Sequence, residues 1–190
     1  EESKIVPFLN ALPGDLADSP VVIGTRLEFV PKTKWPKKSI AIYAGNGAIG
    51  IWGPWSLEEG IGGSEEAIIQ LSRELNKLGW KVVVYSTPGE RAGNYDGVQW
   101  KQYWELNPED EFDVLVAWRN PGFFNTKWKA RKTYVWMHDV MPEAEFDMSL
   151  PNIDKVIVLS KYHRSLFPMI PDEKILLSAN GIVPEDFRDD

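Results

Sequence analysis

Few groups in this chain could do chemistry. It has two histidines, no cysteine, and glycines concentrated between residues 45 and 63. Without a thiol, disulfides, thiolate metal ligands and a cysteine nucleophile are excluded. His138 closes the apolar run KTYVWMH (132–138); His163 stands mid-helix beside Arg164, where a surface position is expected. Two histidines without cysteine make a poor zinc set. No Asp-x-Asp is present to hold a divalent ion on a diphosphate, so no metal site is expected. By residue type alone His138 is either a ligand-facing imidazole or a satisfied structural group at the end of a buried strand.

The glycines offer two anion sites. GNGAIG (45–50) has the form G-x-G-x-x-G after an apolar strand, the pattern of a dinucleotide loop. Gly53-Pro54 soon after it breaks any helix starting inside the motif. The next strand ends in Tyr85-Ser86-Thr87, with no acidic residue to grip a ribose. A nicotinamide site at Gly45–Gly50 is therefore the lesser alternative. Gly62-Gly63 precede a well-patterned helix, whose first amides are unpaired and carry partial positive charge. Glycines there let an anion approach the backbone. The competing reading is a simple turn, with Glu65 and Glu66 already neutralising the helix end. No G-K-[ST] occurs, which excludes a P-loop.

Around these groups stand Trp52 and Trp55, flanking Pro54, and Arg119 after a buried run. Tryptophan faces stack on sugar rings, and an Arg can grip an anionic acceptor. The tryptophans otherwise plug the space under a long loop. Asp110, Glu111 and Asp113 precede a strand and are read as a solvated turn.

These groups need a scaffold. SIAIYA (39–44), KVVVYS (81–86), FDVLVAW (112–118), KTYVWMH (132–138), DKVIVLS (154–160) and KILLSA (174–179) are short apolar runs, the mark of parallel strands covered on both faces. GVQWKQYWEL (97–106) alternates and reads as a strand nearer an edge. Ile68, Leu71, Leu75 and Leu78 line one face of a helix from Ser64, its expected N-cap, to Gly79. KYHRSLF (161–167) is a short helix behind Ser160. Residues 1–38 hold five prolines and the basic cluster KTKWPKK (32–38) and read as an arm or linker. The fold expected is α/β, a Rossmann-like three-layer domain with a mainly parallel sheet over 39–190, preceded by an irregular arm.

The 190 residues suit one domain with an appendage. A net charge of −7 argues against nucleic acid or an anionic membrane as main partner. No run is long enough to span a bilayer, and a cytoplasmic location is expected. The start EESKIV is no signal peptide and reads as a cut inside a longer protein.

Four segments carry a family resemblance. "GIGGSEEAIIQLSRELNKLGWKVVVYST" (60–87) resembles the glycine loop, helix and second strand of family 4 glycosyltransferases of the GT-B fold. "TYVWMHD" (133–139), "DKVIVLSKYHRSLF" (154–167) and "ILLSANGIVPEDF" (175–187) resemble that family's histidine-ended strand, its strand–Ser–helix segment and its crossing into the second domain, in the right order. One departure is Val183-Pro184, where the family often has Asp. The resemblance implies the N-terminal, acceptor-side half of a retaining, metal-independent transferase. It implies a UDP- or GDP-sugar as co-substrate, no other cofactor, and a glycan or other hydroxyl acceptor. The donor would be held mainly by a C-terminal domain that this chain lacks, leaving the fragment inactive alone. By position, Gly62 and Gly63 would face the donor phosphates, and His138 the transferred sugar. Asp139 would orient the imidazole or an acceptor hydroxyl. Ser160, Lys161, Asn180 and Gly181 would line the cleft, with Trp52, Trp55 and Arg119 on the acceptor side. The alternative is a non-catalytic carbohydrate- or partner-binding module that uses the tryptophan loop.

Overall fold

The computed structural model describes residues 4–46 and 50–181. The middle of GNGAIG and the Val183-Pro184 departure lie outside the described residues. Within them, one eight-stranded sheet is built from β1 (Ser39–Tyr43), β2 (Lys81–Ser86), β3 (Gly93–Tyr95), β4 (Val98–Gln102), β5 (Phe112–Trp118), β6 (Ala130–Trp136), β7 (Lys155–Val158) and β8 (Ile175–Leu177). The order is β3-β4-β2-β1-β5-β6-β7-β8. Every neighbouring pair is parallel except β3 with β4. The expected α/β three-layer, Rossmann-like domain is what the chain forms. All seven residues of β5 are buried, as a strand with partners on both edges and cover on both faces requires.

A single turn, α4 (Ser56–Glu59), and the long helix α5 (Gly63–Lys77) carry the chain from β1 to β2. The long helix lays Ile68 and Ile69 on Ile42, Val84, Trp100 and Val116. On the opposite face Phe124, Phe146, Phe167 and Ile170 cover Ala41, Leu115, Val135 and Val156. These come from single turns and the short helix α6 (Lys161–Ser165), because the connections after β5 leave no room for full helices.

Three expectations change. The strand expected over 97–106 ends at Gln102, where residues 103–105 turn into a 3-10 helix. The preceding β3 is an edge strand joined to it by Asp96-Gly97, both at positive φ (52° and 82°), the conformation of a tight hairpin turn. The arm is not irregular: it forms α1 (Ile5–Asn10), α2 (Gly14–Ala17) and α3 (Pro20–Phe29). Ser19 caps α3 ahead of Pro20 at the first helical position, a start signal the expected lack of period obscured. Asp18 accepts a bond from the Tyr103 hydroxyl at 2.5 Å, tying the arm to the end of β4.

The acidic cluster is also not a solvated turn. Asp110 and Asp113 are each 5% exposed. Asp110 accepts from the Thr33 amide at 2.7 Å and the Trp35 indole at 3.0 Å. Asp113 accepts from the Lys38 amide at 2.8 Å and pairs with Arg131 at 2.5 Å. Lys32 and Lys129 share Glu109, and Lys34 pairs with Glu111. The KTKWPKK segment is thus stapled to the amino end of β5, with much of its charge used locally.

Candidate functional site

β1 lies between β2 and β5, and the chain leaves it in one direction and enters β5 from the other. Through α5 it passes over one face to β2; from β4 it crosses the opposite face, burying Leu106 there, to reach β5. The carboxyl ends of β1 and β5 therefore diverge, and open α/β sheets bind ligands in that crevice. The residues just past β5 and β6 and at the start of α5 are Arg119, His138-Asp139 and Gly62-Gly63-Ser64-Glu65.

One polar network joins them. Arg119 has φ of +60°, a left-handed conformation costing a non-glycine residue roughly 1 kcal/mol. Its amide donates to Trp136 O at 2.9 Å, and its guanidinium lies 4.8 Å from the centre of the Trp118 ring. Its Nε donates to the Asp139 carboxylate. Its Nη1 stands 3.6 Å from Glu65 Oε1 and 3.5 Å from Ser64 Oγ. Ser64 Oγ donates to Glu65 Oε2 at 2.8 Å. Glu65 is almost fully buried and Arg119 about one-third exposed. Asp139 thus holds the arginine and not the His138 imidazole.

His138 sits among aromatic rings, 4.8 Å from Trp136 and 5.9 Å from Trp118 between centroids. Its Nε2 is buried without a protein partner, and so is Trp118 Nε1. Burial pushes the imidazole pKa down from its ordinary 6.5 to about 4. The Arg119 charge adds to the shift, and Asp139 opposes it. At neutral pH His138 is therefore uncharged, able to offer a hydrogen bond but no charge. Beside it, one arginine faces two carboxylates, so the crevice is net negative. That suits hydroxyl groups better than a second anion.

This corrects the picture of the α5 N-terminus. The cap is Gly62, two residues ahead of the expected Ser64, and the helix begins at Gly63. Glu65 folds back so far that a Cβ on Gly62 would lie 2.7 Å from its carboxylate. The helix end is already neutralised by the chain's own acid. A Cβ on Gly63, by contrast, would meet nothing within 4 Å. The open approach is at Gly63 alone.

Other expected site residues lie elsewhere. Trp52 is 2% exposed and packs on Trp100 at 5.5 Å and Trp118 at 6.3 Å; it is core. Trp55 is half-buried, with the Arg91 guanidinium 4.0 Å over its ring and Tyr95 at 5.4 Å. A Cβ on Gly53 would collide with that ring. Ser160 Oγ accepts from the His163 amide at 2.9 Å and caps α6. Lys161, Asn180 and Gly181 are exposed, the last two beyond β8 at the far edge of the sheet. His163 is not a surface residue but 7% exposed. The buried Glu65 and His163 are the participants that residue type missed. The Ser160–His163 spacing of a cap was the available signal for His163.

The His138 environment predicts a pH effect. The unfolded chain takes up a proton near 6.5 and the folded one only near 4. The stability contributed by neutral His138 is full above 6.5 and is lost as pH falls toward 4. The ring is partly open to solvent, so a loss of about 1–2 kcal/mol is expected. Urea unfolding at about pH 7.5 and about pH 4.5 checks it: wild type should lose that much more than His138→Asn. Equal losses would refute it. No helix among the described residues is long and apolar enough to cross a membrane. No protein-family model, no curated protein and no solved structure matches this chain.

Proposed function

We propose that this chain is the acceptor-side half of a retaining, metal-independent glycosyltransferase. A UDP- or GDP-sugar donates its sugar to a hydroxyl of a glycan or similar acceptor. The supporting observation is that Arg119 ties Ser64 and Glu65, directly after Gly63, to Asp139, directly after His138, at the switch point, with His138 Nε2 and Trp118 Nε1 buried and unpaired. Buried polar groups left without partners are costly. A sugar hydroxyl entering the crevice supplies both a donor and an acceptor. In the transfer the bond from the anomeric carbon to the diphosphate breaks and one to the acceptor oxygen forms. The leaving phosphate takes the acceptor proton. Neutral His138 holds the sugar by a hydrogen bond. The net-negative crevice does not hold the diphosphate by charge; cations of a second, donor-binding half do so, while the bare backbone at Gly63 lets the phosphates come close.

The tryptophan loop gives the binding-module alternative little to work with, since Trp52 is core and Arg91 covers Trp55. Gly63→Ala tests the reading. The first helical position tolerates alanine, and nothing crowds its Cβ, so stability should be unchanged or rise by about 0.5–1 kcal/mol. Transfer by a chain carrying both halves, screened over nucleotide sugars, should fall at least about tenfold from lost close approach. Full activity in Gly63→Ala would remove Gly63 from the site, and no transfer by wild type from any nucleotide sugar would sink the proposal.

A further inference from the structure

His163 is bonded on both ring nitrogens although the crevice chemistry does not use it. Nδ1 accepts from the Leu159 amide at 3.1 Å. An amide can only donate, so Nδ1 carries no proton and the ring is the neutral Nε2–H tautomer. Nε2 lies 3.2 Å from the Asp139 carbonyl oxygen, which it then donates to. The ring is buried against Phe167, with centroids 5.2 Å apart. The backbone amide of the same residue is held by Ser160 Oγ. One side chain thus joins the end of β7 and α6 to the residue directly after His138. From Asp139 the connection continues through Arg119 to Ser64 and Glu65.

We propose that His163 is a positioning residue: through the Asp139 carbonyl it sets the backbone that presents His138 to the crevice and holds Asp139 against Arg119. The inference rests on reading this crevice as the functional site. His163 touches no reacting group. Its effect passes through a rigid, tautomer-locked strut spanning two strand ends, as a second layer of support does for a first.

Two substitutions separate positioning from local structure. His163→Asn places its Oδ1 near the Nδ1 position, so it keeps the Leu159 bond and loses the Asp139 bond. His163→Gln places its Nε2 near the ring Nε2 position, so it keeps the Asp139 bond. The groups facing His138 are Arg119 past β5, Asp139 beside it and His163 on α6. When the strut is cut, the loop relaxes, water reaches the ring, and the His138 titration midpoint moves up from about 4 toward 6.5. Proton–nitrogen NMR on the unliganded chain reads this directly. Wild type should show His163 as the Nε2–H tautomer. His163→Asn should raise the His138 midpoint by at least about one pH unit, and His163→Gln should stay near wild type. A wild-type His163 in the Nδ1–H form would overturn the proposal. So would a folded His163→Asn with an unmoved His138 midpoint. Because no ligand is present, failure here is distinct from failure to transfer sugar.

Discussion

Replacing His138 with alanine is expected to lower transfer by about 10²-fold in a chain carrying both halves, the scale of losing one preorganised hydrogen-bonding group at a reacting centre. The fold should survive. The ring is only partly buried, and its Nε2 has no protein partner to strand. The loss should appear in kcat more than in KM, because the bond is expected to strengthen as charge develops on the sugar. His138→Gln, which keeps a donor and an acceptor, should recover part of the rate. Since the imidazole titrates at about 4, wild-type kcat should be flat from about pH 6 to about pH 8 as far as this group is concerned. Initial rates against nucleotide-sugar concentration decide the matter. An alanine variant within about threefold of wild type would place His138 outside the reaction.

Trp52→Ala should cost about 3–5 kcal/mol of stability. The side chain is 2% exposed, wedged between Trp100 and Trp118 under the loop that follows β1. Removing it opens a cavity between the sheet and that loop. Trp55→Ala, which loses a half-exposed stack with Arg91, should cost only about 1 kcal/mol. Chemical denaturation of the two variants side by side checks the contrast. Equal, small losses would mean that Trp52 is not core. The contrast also bears on function: a stacking role in acceptor binding predicts lost affinity without lost stability at Trp52, the reverse of what its burial implies.

What the residues declare locally was enough for the architecture. Runs such as FDVLVAW and KVVVYS are apolar on both faces apart from a polar residue or two near their ends, and that leaves them only the interior of a parallel sheet. The helix α5 was legible from its apolar spacing, but its buried face was only half right: Ile68 faces the sheet beside Ile69 and Ser72, whereas Leu71 and Leu78, expected on the same face, are exposed. The strand before His138 and the cap at Ser160 were legible from local pattern, although β6 ends at Trp136, two residues before the histidine. Partnership between distant residues was not. Glu65 and Asp139 look like ordinary acids in sequence, yet Arg119, 54 and 20 positions away from them, gathers both. Trp52 and Trp55 are near-twins in type and setting; one became core and the other was covered by Arg91 because of which way the loop folded over the sheet. From sequence His163 reads as a surface group, because no local pattern shows that the Asp139 carbonyl will arrive beside it. Sequence periodicity determines which segments become strands and helices, and only roughly which face each of them buries. Only the closed sheet, by bringing the ends of β5, β6 and β7 side by side, decides which polar groups meet there, and hence which helix end is open and which is already filled.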